Sequence, residues 1–79
     1  MPSSKAMLAT ALAKANTAVQ LDNTQSYAFA RKYYQEACAL LSQLVPRASN
    51  EEDRRKLRAI RQTYLLRIEQ LENSIPEEP

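Results

Sequence analysis

Few side chains in this 79-residue sequence could carry chemistry. Cys38 is the single cysteine and there is no histidine, which excludes zinc sites built from His and Cys and nucleophile pairs that need a histidine base. Glu69 and Glu72 are spaced i, i+3 like paired carboxylates, but without a histidine they are better interpreted as part of a solvent-facing helix surface. The absence of glycine excludes phosphate-binding loops. We therefore predict a protein that is not an enzyme and uses no metal or other cofactor.

The charges do not indicate binding to nucleic acid or insertion into a membrane. The net charge is +2, and acidic and basic residues alternate along the chain, whereas nucleic-acid binding usually needs a basic face. The run Arg54-Arg55-Lys56 is typical of a solvated helix face. No apolar run reaches the roughly 18–20 residues of a membrane span, and no signal peptide is visible. A lone cysteine fits a reducing, cytoplasmic setting.

Hydrophobic periodicity predicts three helices, at about residues 4–21, 25–44 and 50–73. No strand pattern competes, and the two connecting loops are short, which makes neighbouring helices antiparallel. The predicted fold class is therefore all-α, an antiparallel three-helix bundle. It forms one domain over residues 1–75, followed by a disordered tail at 76–79.

Residues with short polar side chains mark the predicted helix ends. Ser3 or Ser4 suits the first N-cap, and Asn23 or Thr24 suits the second. Ser49 with Glu52 has the spacing of a capping box for the third helix. The second helix ends before Pro46, because proline has no N–H and disfavours a helical residue before it.

Apolar residues recur every three or four positions in each segment, and these stripes define the predicted core. Alanine alternates with larger residues along the first two stripes, so that large side chains meet small ones. The predicted core consists of Leu12, Ala15, Val19, Tyr27, Ala30, Tyr34, Ala37, Leu41, Leu57, Ile60, Tyr64, Ile68 and Leu71.

The third helix carries more apolar surface than its core stripe needs. Leu65 lies about 100° from Tyr64 on a helical wheel, and Leu66 lies about 200° away. An exposed apolar strip with a charged rim is typical of a groove for a partner helix or an extended peptide. The predicted partner-binding groove contains Arg58, Gln62, Leu65, Leu66 and Glu69.

The register of these residues resembles the MIT (microtubule interacting and transport) domain over nearly the whole chain. The family's Ala and Asp of helix one correspond to Ala18 and Asp22. Its Y-x-x-A-x-x-x-Y-x-x-A pattern in helix two corresponds to Tyr27, Ala30, Tyr34 and Ala37, with Leu41 at the next hydrophobic position. The helix-three signature corresponds to Leu57-Arg58-Ala59 and the run from Tyr64 to Leu71.

The resemblance implies a non-catalytic adaptor that binds C-terminal motifs of ESCRT-III-like proteins. In the family, one class of motif binds as a helix between helices two and three. Another binds as an extended, proline-containing strand between helices one and three. The resemblance also implies a cytoplasmic domain, monomeric in isolation, that partners recruit to endosomal membranes.

Carried over by position, Leu65 and Glu69 match family residues that contact the helical motif. The chain departs from the family at Leu66, where an ATPase of the family has an aspartate, and at Gln62, which replaces an apolar residue. These changes favour a more apolar ligand, a different groove or a different partner.

Two other functions compete with peptide binding. In a structural bundle that self-associates, Leu65 and Leu66 would pack against a second copy. In a module for microtubules or another acidic surface, Arg54, Arg55, Lys56 and Arg58 would make the contact.

Overall fold

The computed structural model describes residues 2–75, which form three α-helices, α1 (Ser4–Asn23), α2 (Tyr27–Leu44) and α3 (Glu51–Glu72). A short 3₁₀ turn, Val45–Arg47, follows α2 directly. The described residues contain no strand, so the predicted all-α three-helix fold is confirmed. Each boundary lies within two residues of its predicted position. The predicted tail, 76–79, lies outside the described residues.

The connection between α1 and α2 differs from the predicted one. Ser3 does cap α1, since its hydroxyl accepts a hydrogen bond from the N–H of Ala6 at 3.1 Å. The prediction of Asn23 or Thr24 as the second cap is wrong, because α1 continues to Asn23 and α2 begins after Ser26. The chain reverses at Gln25, whose φ is 64°.

The start of α3 is displaced by one residue from the predicted capping box. Asn50 is the N-cap, and its Oδ1 accepts a hydrogen bond from the N–H of Asp53 at 2.8 Å. The prediction that Ser49 and Glu52 form the box is therefore wrong. Ser49 lies in the bend before the cap, with its side chain exposed.

The core consists of two clusters that follow one another along the bundle. The cluster at the α1–α2 turn contains the buried residues Ala18, Ala30, Tyr34, Cys38, Ile68 and Leu71, with Tyr27 packed against it. The other contains Met7, Ala11, Leu41 and Leu44, with Leu57 and Ile60 packed against it. Tyr64 contacts both clusters, and its ring centroid lies 5.6 Å from that of Tyr34. Ala15 and Ala37 are also buried.

Two predicted core residues, Leu12 and Val19, are not in the core. Their exposed fractions are 41% and 42%. The buried positions of α1 are Met7 and three alanines, whose small side chains let α1 approach α2 closely. Leu12 and Val19 lie about 80–100° around the helix from Ala11, and this angle turns them away from the buried face.

Candidate functional site

A groove of about 530 Å³ opens at the end of the bundle where α1 and α3 begin. Its length runs along α1 and α3, and the end of α2 closes it. The apolar lining consists of Leu8, Leu12, Leu44, Ala48, Leu57 and Ile60. The polar lining consists of Ser4, Lys5, Arg47, Ser49, Asp53 and Lys56. This arrangement can bind an apolar segment of a partner and leave charged groups at its edges.

The groove is open because α1 and α3 approach each other less closely than each of them approaches α2. Leu8, Leu12 and Val19 lie within about 40° of each other on the wheel of α1. Leu8 and Leu12 line the same groove as Leu57 and Ile60, so this flank of α1 faces α3. Leu12, which was predicted to lie in the core, therefore lines the groove.

The charged lining of the groove is mainly cationic. Three cations in the lining, Lys5, Arg47 and Lys56, outnumber its one carboxylate, Asp53, and Lys56 also lies 3.6 Å from the carboxylate of Glu52. That pair is exposed and weak, so the Lys56 ammonium remains available to an acidic ligand. Arg47 donates a hydrogen bond to the Pro2 carbonyl at 3.3 Å, which holds its guanidinium near the start of α1. An excess of positive charge around an apolar surface favours a ligand that combines apolar and acidic residues.

The five residues of the predicted partner-binding groove all lie on the exposed surface of α3. Leu65 has an exposed fraction of 37% and Leu66 of 51%. The two leucines are about 100° apart on the helix, so Leu66 lies on the solvent face rather than beside α2. Arg58 forms an ion pair with Glu51 at 3.4 Å. Gln62 and Glu69 are exposed, and the structure does not bring the five into one cavity among the residues it describes.

Arg61 fills part of the cleft between α2 and α3, next to the side of α3 that carries Leu65 and Glu69, which we call the α2/α3 flank. Its Nη1 donates a hydrogen bond to the Ser42 hydroxyl at 3.3 Å, and its carbonyl accepts one from the Cys38 thiol at 3.8 Å. Burial raises the pKa of the Cys38 thiol, which keeps it protonated and unreactive. Arg61 thus narrows the α2/α3 cleft.

Comparison with known families agrees with this architecture. The sequence model of the MIT (microtubule interacting and transport) domain matches residues 8–73. This chain belongs to the MIT family. No curated protein and no solved structure matches it significantly. MIT domains are non-catalytic protein-interaction modules that act in trafficking, and the matched range includes the apolar lining of the groove.

A network around Asp22 fixes the other end of the MIT domain. The Asp22 carboxylate accepts hydrogen bonds from Arg67 Nε at 2.7 Å and Arg67 Nη2 at 2.6 Å. It also accepts one from the Tyr34 hydroxyl at 3.1 Å. One carboxylate therefore joins α1, α2 and α3. The periodicity of the sequence did not reveal Arg67, because an arginine beside a core stripe is usually solvated.

The network shifts the proton affinities of its members. Hydrogen bonds from Arg67 and then from Tyr34 lower the pKa of the Asp22 carboxyl. Burial, together with the hydrogen bond to Asp22, raises the pKa of Tyr34 to about 12. Asp22 is therefore ionised and Tyr34 protonated at neutral pH, which is the state that both hydrogen bonds require.

In the part of the chain that the structure describes, no helix is long and apolar enough to cross a membrane. Over the same residues, no group of three His, Cys, Asp or Glu side chains is placed to hold a metal ion.

Proposed function

We propose that this MIT domain binds C-terminal motifs of ESCRT-III-like proteins and thereby recruits its host protein to endosomal membranes from the cytoplasm. The observation that carries the proposal is the open apolar groove between α1 and α3. The groove has an apolar lining from both helices, and its cationic rim complements acidic residues on the ligand. We expect micromolar affinity, about −8 kcal/mol, because a short peptide must be ordered when it binds.

The α2/α3 flank is a second candidate surface for the same function. Leu65 is partly exposed there and Glu69 lies on the same side, as a helical ligand would require. Two observations favour the α1/α3 groove instead. Arg61 narrows the α2/α3 cleft, and Arg58 is already paired with Glu51.

A matched pair of substitutions tests the function and the groove together. Leu12→Asp and Leu65→Asp introduce the same charge at residues of similar exposure on opposite sides of the domain. The ligand is the peptide that binds most tightly in a panel of C-terminal peptides from ESCRT-III proteins. We expect Leu12→Asp to raise the Kd of this peptide on the order of tenfold or more, while Leu65→Asp changes the Kd little. NMR titration gives the Kd and the residues that shift.

Circular dichroism of both variants controls for folding. The reverse result, with Leu65→Asp alone abolishing binding, would move the site to the α2/α3 flank. Failure of the whole panel to bind would contradict the proposed function. Sedimentation at several concentrations would then detect self-association through α3.

The acidic-surface alternative has less support from the charges. Arg54 and Arg58 both pair with Glu51, at 2.8 Å and 3.4 Å, and Lys56 lies 3.6 Å from Glu52. These pairs are exposed and weak, but they neutralise much of the basic run on its own helix.

A further inference from the structure

We propose that Ser49 is a phosphorylation site for an acid-directed protein kinase, and that its phosphate closes the α1/α3 groove to acidic peptides. The second half of this inference rests on the proposed function, whereas the first half does not. Three features of Ser49 support it: its accessibility, the charges that follow it in the chain, and its place on the groove rim.

Ser49 is accessible to a kinase. Its side chain is exposed in the bend between the 3₁₀ turn and α3, and the N-cap bond of α3 is made by Asn50. The residues on either side, Ala48 and Asn50, already have extended backbone angles. A kinase could therefore engage this bend with local fraying of the first turn of α3, which has no buried side chain.

The residues after Ser49 form an acidic cluster. Glu51, Glu52 and Asp53 occupy the second, third and fourth positions beyond the hydroxyl, and all three are exposed. Glu51 pairs with Arg54 and Arg58, and Glu52 with Lys56, but these pairs are exposed and weak and would open as the first turn frays. Kinases select substrates by complementary charge, so a kinase with a basic substrate site suits this segment. The transfer forms a bond between Ser49 Oγ and the γ-phosphorus of ATP and breaks the bond from that phosphorus to the bridging oxygen. The hydroxyl proton passes to a base of the kinase, and ADP leaves.

The phosphate would change the charge of the groove. Ser49 lines the groove together with Lys5, Arg47 and Lys56. A phosphoserine adds about −1.5 to −2 charge at pH 7 and offers three strong acceptors to nearby cations. These cations would then pair within the domain, and an acidic ligand would meet repulsion where it now meets attraction. The α2/α3 flank would be unaffected.

Ser74 provides an internal comparison. It is also exposed, and Glu77 and Glu78 follow it in the sequence at the third and fourth positions. It lies at the far end of α3, away from the groove. The variants Ser49→Ala and Ser74→Ala therefore separate phosphorylation at the groove from phosphorylation elsewhere.

The experiment treats the full chain with ATP and an acid-directed serine kinase and maps the phosphate by mass spectrometry. We expect a phosphate on Ser49 in the unmodified chain and in Ser74→Ala, and none at this position in Ser49→Ala. NMR of the phosphorylated chain should show shifts at Lys5, Arg47 and Lys56. The inference would be overturned if Ser49 remains unmodified. It would also be overturned if phosphorylated Ser49 does not shift the NMR signals of Lys5, Arg47 and Lys56.

Binding of the best peptide from the ESCRT-III panel tests the second half. Phosphorylation of Ser74→Ala, which leaves Ser49 available, should raise the Kd on the order of tenfold above that of untreated Ser74→Ala. Kinase treatment of Ser49→Ala should not change the Kd from that of untreated Ser49→Ala. An unchanged Kd with fully phosphorylated Ser49 would refute control of the groove. If the untreated chain binds no peptide, the proposed function fails. Mass spectrometry still shows whether Ser49 is phosphorylated, and the NMR shifts still show whether its phosphate contacts the groove cations.

Discussion

At the scale of single residues, Asp22 has the widest effect on the bundle. Its side chain is 11% exposed, and it is bound by Arg67 from α3 and by Tyr34 from α2. Such a carboxylate is stable only while it is ionised and fully hydrogen-bonded. Asp22 and Tyr34 both occupy positions of the MIT pattern, which makes the network part of the fold rather than of the groove.

Asp22→Asn should lower the free energy of unfolding at pH 7 by about 1–2 kcal/mol, since Arg67 is partly exposed and can be solvated when its partner is lost. The pKa of Asp22 is lowered in the folded state from its ordinary 3.8. The carboxylate therefore stabilises the fold above pH 3.8, and this contribution is lost as the pH falls through the folded pKa. Urea unfolding at several pH values should show a shallower acid loss for the variant.

Tyr34→Phe serves as the control for this prediction. It removes one neutral donor and keeps the Asp22–Arg67 pair, so its cost should be smaller and its acid dependence close to that of the unmodified chain. If Asp22→Asn and the unmodified chain lose the same stability as the pH falls, other carboxylates govern the acid dependence of unfolding.

At the scale of helices, the sequence predicted the type and order of the secondary-structure elements correctly, but it did not predict which face of α1 is buried. The three segments follow from apolar spacing, and Pro46 marks the end of α2. Of the predicted core residues on α1, Ala15 is buried, whereas Leu12 and Val19 are exposed and Met7, Ala11 and Ala18 are buried instead. Periodicity alone cannot rank these two faces, because the choice depends on how closely α2 approaches.

Periodicity did not identify the residues of the candidate groove, for the same reason, although the family resemblance named the space between helices one and three. Surplus leucine on α3 pointed to a partner surface at Leu65 and Leu66, and that proposal stands untested. The groove depends instead on how closely α1 and α3 approach each other, which is a tertiary property. Leu12 belongs to it because its side chain lines the groove and remains 41% exposed.

The close approach of α1 to α2 makes a prediction about this helix pair. Ala18→Leu should destabilise the bundle by about 1–3 kcal/mol, since Ala18 is fully buried against the cluster that contains Ala30 and Tyr34. Ala13→Leu is the matched control on an exposed face of the same helix, where the change should be close to neutral. If Ala18→Leu and Ala13→Leu change the Tm equally, α1 can move away from α2 without loss of stability.

At the scale of the whole molecule, the domain is a narrow rod of 44 × 22 × 19 Å. A bundle of this size has a small core, which rarely supplies more than about 3–5 kcal/mol of net stability. Its helices are joined most firmly through α2, while α1 and α3 border an open groove. A ligand in that groove would contact both helices, so it would add the contacts that the bundle itself lacks.

Peptide binding in the groove should therefore stabilise the folded domain strongly. The unfolded chain has no groove, so a peptide at 100 times its Kd should add about 2.7 kcal/mol to the free energy of unfolding. For a domain of this length that corresponds to a rise in Tm of roughly 10–20 °C. Differential scanning calorimetry with the best-binding peptide measures this rise. Leu12→Asp at the same peptide concentration should lose about half of it or more, because a tenfold weaker Kd leaves about 1.4 kcal/mol. A bound peptide that leaves Tm unchanged would have to bind the unfolded chain equally well, which no groove between two folded helices can explain.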